Sequence, residues 1–108
     1  MTLFVQELRV DFYLGACRSL KEKRQRLRGL RDRFGRQPIL AVVESDFADS
    51  LQKARWSFIA AASAAELVQQ QLADVERYLT FSVDAEILAM DRFELSAEGI
   101  DGRVPERW

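Results

Sequence analysis

The sequence predicts an α+β fold, a ferredoxin-like βαββαβ sandwich with a four-stranded antiparallel sheet and two helices on one face. Three observations predict it. Four segments carry strand-like, apolar patterning, two segments keep helical spacing, and the two kinds follow in the order strand, helix, strand, strand, helix, strand. Two right-handed crossovers in that order place both helices on the same side of the sheet.

The first strand is read from Leu8, Val10 and Phe12, which alternate with Glu7, Arg9, Asp11 and Tyr13. Gly15 closes it. Ser19-Leu20-Lys21-Glu22 has the form of a capping box, so a helix should start at Leu20. Leu20, Leu27, Leu30 and Phe34 then cluster within about 80° on a helical wheel, and Gly35 is placed to stop the helix. After Pro38, which fits only a strand start, Ile39 to Glu44 reads as the second strand. Ser45 to Ala54 reads as a short helical connector. Trp56, Phe58, Ala60 and Ala62 alternate with Arg55, Ser57, Ile59 and Ala61 in the third strand. Ser63-Ala64-Ala65-Glu66 repeats the capping pattern before a helix that keeps its spacing to Thr80. Val83, Ala85, Ile87 and Ala89 form the inward set of a fourth strand extending towards Leu95. Residues 1–96 thus form one domain, and 97–108, with Gly99, Gly102 and Pro105, a tail whose Ile100, Val104 and Trp108 either dock or fray.

The 108 residues, 48% apolar and 31% charged, suit one globular domain. The longest clean apolar runs, Ile39–Val43 and Phe58–Ala62, are five residues each, too short to span a bilayer. No basic leader precedes an apolar run at the N-terminus, so the expected location is cytoplasmic and no membrane partner is expected. With no His and one Cys, histidine-based proton shuttles, Cys/His zinc clusters and His-dependent nucleophiles are excluded. Asp, Glu, Lys and Tyr form no convergent set, so the reading is of a non-enzyme without a cofactor. Cys17, before a helix start and beside Arg18, lacks a resolving cysteine or base and is not read as a nucleophile.

The net charge of -1 conceals a strong division. Arg18 to Arg36 holds nine basic residues against Glu22 and Asp32, a block of +7 that leaves -8 on the remainder. Such blocks suit a polyanion-binding stripe, an internal electrostatic match or head-to-tail association. On the wheel, Lys21, Arg24, Arg28 and Arg31 share one ridge, with Arg18 just before the cap. Like-charge neighbours at these spacings cost about 0.2–0.5 kcal/mol per pair. Seven of the nine cations are Arg, whose planar fork suits phosphate. The competing reading is a solvated helix partly neutralised by the rest of the fold. Lys23 falls inside the apolar stripe, where it either snorkels out or reaches Asp11 or Glu7 on the first strand.

The first-strand run, Arg18-Ser19-Leu20-Lys21-Glu22-Lys23-Arg24, and Glu44-Ser45-Asp46 with Asp49 and Gln52-Lys53-Ala54 resemble the YlxP-like family of small bacterial proteins of uncharacterised function, from about Phe4 to Phe93. Phe47 and Leu51 depart from the family pattern, which has His and Trp there. The resemblance implies a ferredoxin-like fold, no established catalytic activity, and an association with the ribosome or RNA.

Three further groups suggest sites. Phe4, Trp56 and Phe58 lie where an RNA recognition motif carries base-stacking aromatics, since Leu3 to Leu8 resembles its first signature. Strand parity instead puts all three beneath the helices, barring a bulge. Glu44, Asp46 and Asp49 have the chemistry to hold a divalent cation, but no glycine-pinned loop accompanies them, and capping of the connector helix is the plainer role. If Ala41 and Val43 face the helices, Leu40 and Val42 join Leu3 and Val5 in an apolar patch on the open sheet face, suited to a homodimer or another protein. The leading expectation is RNA or ribosome binding through Arg18, Lys21, Arg24, Arg28 and Arg31. The alternative is a protein-interaction or homodimerisation module.

Overall fold

A computed structural model describes residues 2–95. Six elements follow in order: β1 (Phe4–Tyr13), α1 (Leu20–Phe34), β2 (Leu40–Asp46), β3 (Lys53–Ala62), α2 (Ala65–Ser82) and β4 (Glu86–Glu94). The strands form one antiparallel sheet in the order β2-β3-β1-β4, so β2 and β4 are its edges. This is the ferredoxin-like arrangement that the alternating pattern predicts. The segment from Ala97 lies outside the described residues.

Alternation along β1 and β3 divides the sheet into two faces. Leu8, Val10 and Phe12 of β1 meet Ala54, Phe58 and Ala60 of β3 in a core closed by Leu27, Leu30 and Phe34 of α1 and Val68, Leu72, Val75 and Leu79 of α2. The Phe34 ring stands edge-on to both Phe58 and Tyr78, joining sheet and helices. Phe4 packs against this core and Trp56 and Phe58 belong to it, so no aromatic base-stacking platform lies on the open face at these positions. Helix packing is close because Gly29 faces Tyr78: a Cβ there would run into the tyrosine hydroxyl.

Local chemistry explains the helix starts. Ser19 is the N-cap of α1 and its hydroxyl accepts from Glu22 N–H at 3.1 Å, while the Glu22 carboxylate accepts from Arg18 N–H at 2.7 Å. Glu22 thus reaches one residue further back than in a standard capping box. The Ser63 cap does not form. Ala64 is the N-cap of α2 and makes no side-chain bond, because its helix begins one residue later than the Ser63 pattern requires.

Four other expectations are corrected. Ser45–Ala54 is not helical: β2 continues to Asp46, β3 begins at Lys53, and a turn closed by Ser50 N–H on Phe47 C=O joins them. Phe47 holds φ +61°, a left-handed conformation that ends the strand, and its N–H bonds the Asp46 carboxylate at 2.7 Å. Asp46 therefore serves a turn and caps no helix. Pro38 lies in a turn ahead of β2 rather than in the strand.

The parity of β2 is the third correction. Leu40 pairs with Ala60 and Val42 with Phe58, which places Leu40 and Val42 on the helix side and leaves Ala41 and Val43 exposed. The apolar patch of Leu40, Val42, Leu3 and Val5 does not exist. Fourth, the β1–β4 register shifts between Asp11 and Phe12, so Leu88 is the extra residue and the inward set passes from Ile87 to Met90 instead of Ala89.

The open face carries a charge ladder. Arg9 grips Glu7 through two bonds of 3.0 and 3.1 Å, and Arg55 grips Asp11 through two of 2.7 and 3.1 Å. Ser57 donates to Glu7 at 2.7 Å and shares a 2.8 Å bond with Ser45. The guanidinium groups lie over aromatic rings, Arg9 on Phe93 and Arg55 on Phe47. The Arg9 hydrogen bonds hold Glu7 below the usual carboxylate range against its burial, and those of Arg55 do the same for Asp11.

Because both values are depressed on folding, this stabilisation is complete above the ordinary carboxylate range and is lost as pH falls through the folded values. Urea unfolding midpoints should therefore drop between about pH 5 and pH 2. A Glu7→Gln/Asp11→Asn variant should be less stable at neutral pH and show a shallower acid dependence.

Candidate nucleic-acid groove

α1 packs over β2, the edge strand. Its apolar stripe seats Leu27, Leu30 and Phe34, and the same stripe buries Lys23, only 3% exposed. An ammonium so placed needs acceptors. Lys23 Nζ donates to Phe47 C=O at 2.7 Å and lies 3.3 Å from Glu44 Oε2. It neither snorkels nor reaches Asp11 or Glu7, which point from β1 into the opposite face of the sheet and are held there by arginines. Glu44 is opposite Trp56 in the register and shares its helix-side face, which is why it is the available partner.

Arg26 secures the other flank of α1. Its guanidinium donates to Gly15 C=O at 2.8 Å and Asp84 C=O at 3.1 Å, and lies 3.3 Å from the Asp84 carboxylate. The helix is thus fixed on both sides by cations that the sequence places in the basic block, which leaves a smaller set facing outward.

Lys21, Arg24, Arg28 and Arg31 are all exposed and line one wall of an open groove of about 630 Å³ between α1 and β2. Among the described residues, the ridge makes one ion pair, Arg28 with Asp32 at 3.5 Å on an exposed i,i+4 spacing. Arg31 lies 5.2 Å above the Trp56 ring. Leu20, Leu27 and Trp56 supply an apolar floor; Glu44 and, from the β2–β3 turn, Ala48 and Asp49 supply the facing wall. Arg18 is exposed ahead of Ser19 and does not line the groove.

The structure therefore brings four of the five predicted cations together. Sequence reasoning missed Trp56 as a groove residue, and Glu44 as the partner of Lys23. A lysine inside an apolar stripe signals a buried acceptor; naming it requires the parity of β2. Among the described residues no group of three His, Cys, Asp or Glu side chains is arranged to hold a metal ion. Glu44 pairs with Lys23, Asp46 bonds the turn and lies 3.6 Å from Arg55, and Asp49 lines the groove. Cys17 is buried, with its thiol donating to Ser19 C=O at 3.4 Å. No helix among the described residues is long and apolar enough to cross a membrane.

Fold and site together define a small α+β sandwich with a cation-rimmed groove between its first helix and an edge strand. The chain belongs to the family described as protein of unknown function (DUF503), whose model matches residues 5–92. A search of curated proteins gave no match.

The Lys23–Glu44 contact should be strongly asymmetric. Glu44→Ala leaves a buried ammonium with one carbonyl and should cost up to about 3 kcal/mol, whereas Lys23→Met leaves a carboxylate that can turn to water and should cost less. The Lys23→Met/Glu44→Leu double variant should recover most of the loss in urea unfolding.

Proposed function

We propose that the chain is a non-enzymatic, cytoplasmic RNA- or ribosome-associated binding module that lays α1 along a phosphate backbone. Lys21, Arg24, Arg28 and Arg31 make sequence-independent contacts, with Arg18 adding a fifth cation at the helix start. The observation carrying this reading is the ridge itself: four exposed cations on one helix face, of which only Arg28 is ion-paired among the described residues. Three are arginines, whose forked donors match phosphate oxygens. The YlxP-like resemblance points in the same direction. The homodimer alternative loses its motivating surface, because Leu40 and Val42 face the helices.

Binding to a labelled ribosomal RNA fragment should weaken steeply with salt. Four contacts correspond to a log–log slope of roughly -3. Arg24→Glu/Arg28→Glu should lower affinity at least about tenfold at low salt and flatten that slope by one or two, with circular dichroism and melting temperature little changed. Salt-insensitive binding, or no binding at low salt, would refute the reading.

A further inference from the structure

The groove is chemically asymmetric. Cations dominate the α1 wall, with Asp32 among them paired to Arg28; the floor is apolar, and the facing wall presents the carboxylates Glu44 and Asp49. Glu44 has one oxygen on Lys23 and its other, Oε1, makes no hydrogen bond among the described residues. Trp56, 6% exposed, lines the groove, and its indole Nε1 is buried without a hydrogen-bond partner. A buried donor in that state lowers its free energy when an acceptor is brought to it.

We propose that this groove is a nucleobase slot, in which one unstacked base of single-stranded RNA enters between α1 and β2 while its flanking phosphates rest on the Lys21–Arg31 ridge. The inference rests on the phosphate-binding function above. A nucleotide has the same asymmetry as the groove: an anion at one end and, at the other, a flat apolar ring edged with both acceptors and N–H donors. The phosphate meets the α1 cations. The base lies on the apolar floor and stacks on the Arg31 guanidinium, as splayed-out bases do on arginine planes. On base entry the Trp56 ring turns so that its Nε1, closed to the groove in the free protein, donates to a base carbonyl or ring nitrogen, while Glu44 Oε1 and Asp49 accept from base N–H groups. The volume of about 630 Å³ lies within the usual span for small-ligand sites. The side chains of an acidic peptide offer Glu44 and Asp49 only like charges, whereas a nucleobase edge offers them N–H donors, which favours RNA as the occupant. Bases held in a duplex cannot enter, so the slot selects single strands.

The test compares a labelled single-stranded oligoribonucleotide, the same strand annealed to its complement, and polyglutamate, with the full chain at one salt concentration. The wild type should bind the single strand roughly five- to a hundredfold more tightly than the duplex, the range of one base–aromatic stacking contact. Trp56→Phe, which keeps a ring and removes the N–H, should reduce that preference. Ala48→Phe, at an exposed turn residue that lines the groove, should fill it and abolish the preference without touching the core. In a Trp108→Phe background, Trp56 fluorescence should change on adding the single strand and not the duplex. Equal affinity for strand and duplex, with Arg24→Glu/Arg28→Glu still damaging, would overturn the slot and leave the phosphate reading intact. No binding to either RNA overturns both. Polyglutamate binding as tight as the single strand replaces RNA with an acidic polypeptide and overturns the proposal.

Discussion

Lys23 buries an ammonium group between α1 and the β2 edge, and its contacts with Phe47 C=O and Glu44 decide how the helix sits. Burial of a lysine is costly unless acceptors are fixed around it. Both acceptors are fixed here: Glu44 by the β2–β3 register and Phe47 by a left-handed turn whose N–H is tied to Asp46. With Arg26 bound to Gly15 and Asp84 on the far flank, the helix cannot roll without breaking a charged contact. Its exposed ridge is thereby aimed along the groove.

The division of charge in the sequence is partly resolved inside the fold. Lys23 and Arg26 meet Glu44 and Asp84 of the acidic remainder, so an internal electrostatic match accounts for part of the basic block, while Arg28 pairs with Asp32 inside it. Lys21, Arg24 and Arg31 make no ion pair among the described residues. The open sheet face resolves its charges differently, through paired arginines and carboxylates laid over Phe47 and Phe93. Phe47 serves both faces: its ring supports Arg55 and its carbonyl holds Lys23.

The architecture was legible in the sequence because period-two and helical patterns are local. Leu8, Val10 and Phe12 declare a strand face, and Ser19 and Glu22 declare a helix start, without reference to the rest of the chain. β2 has no such marker: Leu40, Ala41, Val42 and Val43 are apolar on both sides, and only pairing with Ala60 and Phe58 decides their direction. Leu88 escapes notice because a bulge adds a residue without any glycine to announce it. The four ridge cations were legible from wheel geometry alone. Trp56 and Glu44 were not, since their place in the groove depends on which edge of the sheet α1 covers.

On the proposed reading, ligand contact is confined to the groove between α1 and β2. Amide and indole NMR shifts recorded while single-stranded RNA is titrated into the ¹⁵N-labelled chain test it most directly. The largest changes should fall on Lys21 to Asp32, Ala48, Asp49 and the Trp56 indole N–H. Changes centred on Arg9, Arg55 and Phe93 of the open sheet face, with the groove unaffected, would contradict it.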